Sequence, residues 1–128
     1  MTTVTIQHKG RDDQRIVTVI RYKGWEEDKD IPNSLSSMAG FLQSVKQVDG
    51  SEIGVLVVCR NGCRRSGLFL TLCLALQQSD LESEINIFQI VRSIQSRRPD
   101  FMSCFEQYKF CYDVIKEYVS SYALYANT

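Results

Sequence analysis

Val55-Leu56-Val57-Val58-Cys59-Arg60-Asn61-Gly62-Cys63-Arg64-Arg65-Ser66-Gly67 is the stretch on which the reading of the whole chain turns. An apolar run with the look of a buried strand stops at Cys59. A polar loop containing Gly62 follows, and Leu68 to Leu76 is then apolar enough for a buried helix. Strand, tight loop and helix form a backbone that binds anions, because loop N–H groups and the unmatched N–H groups of the first helical turn converge while the helix dipole adds positive potential. A thiol at the mouth of such a loop has its pKa lowered and becomes a thiolate nucleophile. Arg65, six residues after Cys59, is spaced to return across the loop and hold two phosphate oxygens at once. The chemistry these parts support is phosphate-ester cleavage through a phosphocysteine.

With 128 residues the chain is one domain at most, with enough apolar content to bury a core. Lys plus Arg, 15, balances Asp plus Glu, 15, so charge gives no reason to expect nucleic acid or an anionic membrane as a partner. No apolar stretch reaches membrane-spanning length, and the first residues lack the charged-then-apolar pattern of a secretory signal. The five cysteines are odd in number and several lie in apolar surroundings, which points to reduced thiols and a cytoplasmic setting.

Outward from the central stretch, Thr2 to Gln7 alternates around Val4 and Ile6 as a short strand, Gly10 to Asp13 turns, and Arg15 to Tyr22 reads as a second, antiparallel strand. Gly24 to Asn33 is a charged loop carrying the single tryptophan, Trp25. Asn33 or Ser34 is placed to cap a helix with Leu35, Met38, Phe41, Leu42, Val45 and Val48 on one face, ended by Asp49-Gly50-Ser51. The apolar segment after Gly67 breaks at Ser79-Asp80. A further helix is expected from about Glu82 to Arg97 with Ile87, Phe88, Val91 and Ile94 inward, stopped by Arg98-Pro99-Asp100. The last helix carries Phe105, Tyr108, Cys111, Val114, Ile115 and Tyr118 on one face, with a frayed extension beyond it. The expected fold is α/β: a mixed central β-sheet with the 55–58 strand in its middle, flanked by helices. The 33–48 helix lies on one face and the other helices on the opposite face.

Apolar strand, cysteine, five residues, Arg65-Ser66-Gly67 resembles the signature loop of protein tyrosine phosphatases, in which a histidine precedes the cysteine. Tyr22-Lys23-Gly24-Trp25 resembles the Tyr-x-x-Trp that leads into the family's mobile Trp-Pro-Asp loop. Glu26 stands at the proline position and Glu27 at that of the aspartate, the general acid and then base; Asp28 is a substitute one residue out of register. Arg98 to Phe110 resembles a third element, in which an Arg-Pro turn and a Gln-Thr pair precede Glu-Gln-Tyr-x-Phe. Ser103 stands where the family's glutamine positions the hydrolytic water, and Gln107 matches the later, helical glutamine.

The resemblance implies that residues 1–128 are the C-terminal part of a single tyrosine-phosphatase-like domain whose N-terminal half is absent. It implies Cys59 as nucleophile, a phosphate cradle of Cys59, Arg60, Asn61, Gly62, Cys63, Arg64 and Arg65, Ser66 easing thiolate departure, Glu27 as acid and Ser103 as a degenerate water-positioning residue. No cofactor is implied. Val58 for histidine, Glu26-Glu27 for Pro-Asp and Ser103 for glutamine make the chain look most like the second, membrane-distal domain of a receptor-type tyrosine phosphatase. That likeness implies a catalytically impaired, regulatory domain at the intracellular side of a receptor, with a phosphotyrosine protein or peptide, and another phosphatase domain, as partners. A working phosphatase is the alternative, and a redox sensor built on Cys59 and Cys63 is a second. Cys59 and Cys63 lack the further Cys/His cluster a metal site needs. Cys73, Cys104 and Cys111 read as core packing. His8 has no motif around it, and of the pairs Arg64-Arg65 and Arg97-Arg98 only Arg65 has a position-specific role.

Overall fold

Four amphipathic helices bury one another's apolar stripes in the computed structural model, which describes residues 2–7, 9–10, 12–48, 55–82 and 84–123. They are α1 (Leu35–Val48), α2 (Arg64–Glu82), α3 (Ile87–Arg97) and α4 (Phe105–Tyr118), the last running on into a π-helical turn at Val119–Ala123. Met38, Ala39 and Leu42 of α1 join Leu68, Leu72, Ala75 and Leu76 of α2 in one cluster, completed by Ile87, Ile90, Val91 and Ile94 of α3 and by Phe110, Cys111, Val114, Ile115 and Tyr118 of α4. These spacings of three and four residues are what a helix needs to keep one face inward. Tyr22 meets Phe41 edge to face and Phe41 meets Phe69 at a tilt, with centroids 5.1 and 5.6 Å apart, and these contacts fasten the chain entering the charged loop to α1 and α2.

The expected mixed sheet is not what the described residues form. Their only sheet is the antiparallel pair β1 (Thr2–Gln7) and β2 (Gln14–Val19), in register from Thr2 opposite Val19 to Gln7 opposite Gln14. The second strand therefore ends at Val19, short of Tyr22. Residues 55–59 are extended but pair with no strand among the described residues, and Leu56 and Val58 are 88% and 79% exposed. A β-branched apolar run has the local preference for a strand, but a ladder needs an adjacent strand, and neither edge of the β1–β2 pair is joined to this run. With no sheet between the helices, α1 does not lie across a layer from the last two; it packs directly on α4, which packs on α2, and α2 on α3. The hydroxyl of Tyr118 donates to Gln43 Oε1 at 2.8 Å across the first of these contacts.

Helix ends also differ from expectation. Ser34 is the cap of α1, its hydroxyl accepting from the N–H of Ser37. Ser79-Asp80 does not break α2, which continues to Glu82; α3 starts later, at Ile87, because Asn86 caps it by accepting from the N–H of Gln89 at 3.1 Å. Leu35, Val48, Phe88 and Phe105, expected inward, are exposed. Phe88 is one residue, about 100° of rotation, from Ile87 on the buried face, and Arg92 covers its ring instead. Phe105 opens α4 directly after its Cys104 cap, before the helix meets its neighbours. Cys111 is buried as expected, whereas Cys73 and Cys104 are only half-buried. The Asp49-Gly50-Ser51 turn, His8 and the tail beyond residue 123 lie outside the described residues.

The faces found here predict opposite outcomes for two large side chains. Leu72→Ala, at a site with no exposure, should lower unfolding free energy by about 2–5 kcal/mol, while Phe105→Ala should change it by no more than about 0.5 kcal/mol. Urea denaturation of both variants measures the contrast.

Candidate active site

Gly62 sets the course of the cysteine loop. Its φ of +72° lies where a side chain is strained, and an added Cβ would come within 2.9 Å of Arg98 Nη1. That Nη1 donates to the Gly62 carbonyl at 3.0 Å, and the Arg98 guanidinium lies 5.5 Å from the Phe101 ring centroid. Phe101 also explains Gly67, the small residue in the first turn of α2: a Cβ there would meet Phe101 Cδ1 at 3.0 Å. The turn before α4 thus braces both the loop and the helix that follows it.

Within the loop, Asn61 Oδ1 accepts from the N–H groups of Cys63 and Arg64, each at 3.0 Å, and from the Cys59 thiol at 3.7 Å. A cavity of about 300 Å³ opens beside it, lined by Glu27, Cys59, Arg60, Asn61, Arg64 and Arg65. Three guanidinium groups and one carboxylate line it, and with Asp30 beside Arg64 the wall keeps a net positive charge on a chain with no formal net charge. Partial burial of the Cys59 sulfur opposes ionisation. The Ser66 hydroxyl and the backbone of Ser66, Arg65 and Gly62 outweigh it, so the thiol pKa falls below the ordinary value. The Ser66 hydroxyl is itself buried and has no partner of hydrogen-bonding geometry, so its proximity to the sulfur acts as a dipole rather than as a formed bond.

The charged loop of residues 24–33 is docked onto this wall. Its ends are joined by the Asn33 N–H donating to the Gly24 carbonyl at 2.8 Å, and the Trp25 indole donates to the Lys29 carbonyl at 2.9 Å. The Arg65 guanidinium sits 5.8 Å from the Trp25 ring centroid, a cation–π contact that orients it. Glu27 Oε1 meets Arg60 Nη1 at 2.8 Å, and Asp30 Oδ1 meets Arg64 Nε at 3.5 Å. Beneath them the buried Gln107 amide donates to the carbonyls of Asp30 and Arg64, each at 2.9 Å.

Cys59, Arg60, Asn61, Arg64, Arg65 and Glu27 therefore meet in one cavity. Gly62 and Cys63 shape the loop without lining that cavity, and Ser66 lies buried in the first turn of α2. Asp28 and Ser103 are exposed and not on the wall. Sequence reading missed Gln107, Arg98 and the contact of Trp25 with Arg65, all of which join residues distant along the chain. It also missed the side-chain role of Asn61, although an asparagine two and three residues before N–H groups at a helix start is a signal for such a contact. No group of three or more His, Cys, Asp or Glu able to hold a metal occurs among the described residues.

Residues 1–117 match the family model described as protein-tyrosine phosphatase. The chain is 37% identical over 103 residues to a receptor-type tyrosine-protein phosphatase of Caenorhabditis elegans, covering 77% of this chain and 7% of that protein. It is 30% identical over 129 residues to receptor-type tyrosine-protein phosphatase alpha of Homo sapiens, covering 99% of this chain and 16% of that protein. With receptor-type tyrosine-protein phosphatase C of Homo sapiens the identity is 31% over 121 residues, covering 86% of this chain and 9% of that protein. The chain thus spans a small part of the length of these curated relatives.

The two cysteine environments predict selective chemistry. Only the thiolate is alkylated, and its fraction rises with pH, so a lowered pKa moves the whole rate profile to lower pH. Cys59 should react with iodoacetamide along a curve that levels off at lower pH than the same cysteine in the unfolded chain. Cys111, whose burial pushes its pKa up to about 12, should stay unmodified through neutral pH while the fold is intact. Mass spectrometry of the labelled peptides distinguishes the two; a Cys59 curve at or above the unfolded one contradicts the assignment.

Proposed function

Because the chain belongs to the protein-tyrosine phosphatase family, we propose that its cysteine loop binds the phosphate of a phosphotyrosine protein or peptide, turns it over poorly, and serves binding and regulation. The chain is then the C-terminal part of one phosphatase domain, working on the intracellular side of a receptor, with a second phosphatase domain as a further partner. The observation that carries this reading is the cationic cavity, in which the activated Cys59 thiol and Arg65 stand with Arg60 and Arg64. In the family reaction, sulfur attacks phosphorus, an S–P bond forms and the P–O bond to the phenol breaks. The phenolate takes a proton from an acid, and water then attacks the phosphocysteine, releasing phosphate and restoring the thiolate. Loop N–H groups and Arg65 serve the equatorial oxygens throughout.

Each substitution weakens one of these steps. Glu27 is on the cavity wall, but its carboxylate is engaged with Arg60 and must leave that contact to protonate a phenolate. Its extra methylene also displaces the carboxyl from where an aspartate would hold it. Val58 offers no imidazole to support the thiolate and is exposed, and Ser103 is exposed and off the wall, so neither assists ionisation or hydrolysis. The presence of Cys59, Arg65 and a carboxylate on one wall favours the alternative of a working phosphatase. The oxidant-sensing alternative draws no support, since Cys63 packs against the hydrophobic cluster and is not on the cavity wall.

Two experiments test the proposal. Phosphate or vanadate should bind, and Arg65→Ala should abolish that binding; Arg65→Lys should also weaken it, because a point charge does not replace a planar two-donor fork. Equal affinity in wild type and Arg65→Ala would remove the assignment. Combining Val58→His, Glu26→Pro, Glu27→Asp and Ser103→Gln, with the N-terminal half of a family domain supplied, should raise turnover of a phosphotyrosine peptide by roughly a hundred- to ten-thousandfold. The gain on an activated aryl phosphate should be smaller, since its leaving group needs little protonation. Cys59→Ser is the blank, and full activity without the restoring changes leaves a competent phosphatase.

A further inference from the structure

An anion entering the cysteine loop would need the same donors that Asn61 already uses. The N–H groups of Cys63 and Arg64 lie where the loop becomes α2, and the Asn61 carboxamide oxygen accepts from both at 3.0 Å. N–H groups at a helix start have no partner within the helix and are the ones an anion oxygen takes. Asn61 is exposed, lines the cavity and is not held by packing. A second observation concerns the adjoining helix start: the buried Ser66 hydroxyl, next to the Cys59 sulfur, has no hydrogen-bond partner. That hydroxyl faces the sulfur at which the anion would arrive and is not spent on any other protein acceptor.

We propose that Asn61 is an internal competitor for the anion: its carboxamide oxygen occupies the loop's donors, and a phosphate group binds by displacing it. The proposal rests on the anion-binding reading of the loop and adds the residue that sets its affinity. Asn61 is an acceptor without charge, so it satisfies the two N–H groups while bringing no negative charge to Arg65 on the same wall. A phosphate displaces it by offering the same N–H groups a charged oxygen and offering the planar Arg65 fork two further oxygens, which makes charge-assisted contacts stronger than the neutral ones lost. The same oxygen bears on the nucleophile. Cys59 reaches it at 3.7 Å as a donor, a contact open only to the protonated sulfur, since a thiolate has no hydrogen to give and would face the oxygen lone pairs. Asn61 therefore opposes the ionisation that the rest of the loop promotes, and ligand entry relieves both restraints together.

The full chain and its Asn61→Ala variant are titrated with inorganic phosphate and with orthovanadate by calorimetry. Asn61→Ala should bind about tenfold more tightly, as expected for the release of two neutral hydrogen bonds, and its Cys59 should be alkylated about two- to fivefold faster at neutral pH. A side chain that only supported the loop would give the reverse, weaker binding from a loosened cradle, with no gain in alkylation rate. Equal or weaker binding by Asn61→Ala overturns the role of Asn61 and leaves the anion-binding reading standing. No binding by either protein overturns that reading and this proposal with it. Should Asn61→Ala fail to fold, nuclear magnetic resonance of the wild-type chain decides. Saturating phosphate should shift the Asn61 side-chain amide and the Cys63 and Arg64 backbone amides together; a bound anion that leaves all three unmoved overturns the proposal.

Discussion

The Gln107 side chain, buried in α4, spends both hydrogens of its amide on carbonyls from two other parts of the chain, Asp30 in the charged loop and Arg64 at the start of α2. A buried amide is costly unless it is paired, by about 1–3 kcal/mol for a group left without a partner. The fold therefore holds these three segments at the spacing the amide requires. This spacing brings the loop bearing Glu27 beside the loop bearing Cys59, though they are more than thirty residues apart in sequence.

The ion pairs across the same junction are weaker ties. Arg60 and Glu27 are 79% and 72% exposed at their side chains, and exposed pairs of this kind contribute about 0–1 kcal/mol. Asp30 and Arg64, nearly half exposed and 3.5 Å apart, are no stronger. Docking of the charged loop thus depends on the buried amide and on Trp25, which is folded against the core and stacked on Arg65. The division suits a site that must admit a ligand: the carboxylate of Glu27 is held by a contact that water and salt readily loosen, while Arg65 is held by a ring that does not leave.

Opposed influences on Cys59 meet in the loop itself. Burial favours the neutral thiol, while the Ser66 hydroxyl and the backbone of Ser66, Arg65 and Gly62 favour the thiolate and prevail. The conformation that allows this convergence depends on Gly62 at positive φ, and Arg98 holds the Gly62 carbonyl in place. Reactivity at Cys59 accordingly depends in part on a group that stands back from the cavity, the Arg98 guanidinium that fixes Gly62.

Sequence alone determined the features that local chemistry controls. Helix periodicity located α1 and α4 and the buried positions Met38, Leu42, Cys111, Val114, Ile115 and Tyr118, the glycine and cysteine spacing located the loop with Cys59 and Arg65, and the family resemblance pointed to Glu27, which shares their cavity. Tertiary structure decided what depends on partners. Among the described residues Val55 to Val58 has strand composition yet forms no ladder, because composition does not supply neighbouring strands, and α1 packs directly on α4. Gln107 bonding to Asp30, Arg98 to Gly62 and Trp25 stacking on Arg65 each join residues separated by 36 positions or more, and no period or motif encodes such a contact. A side chain's type limits which bonds it is able to make, but only the packed chain decides which donor and which acceptor arrive within 3 Å of each other.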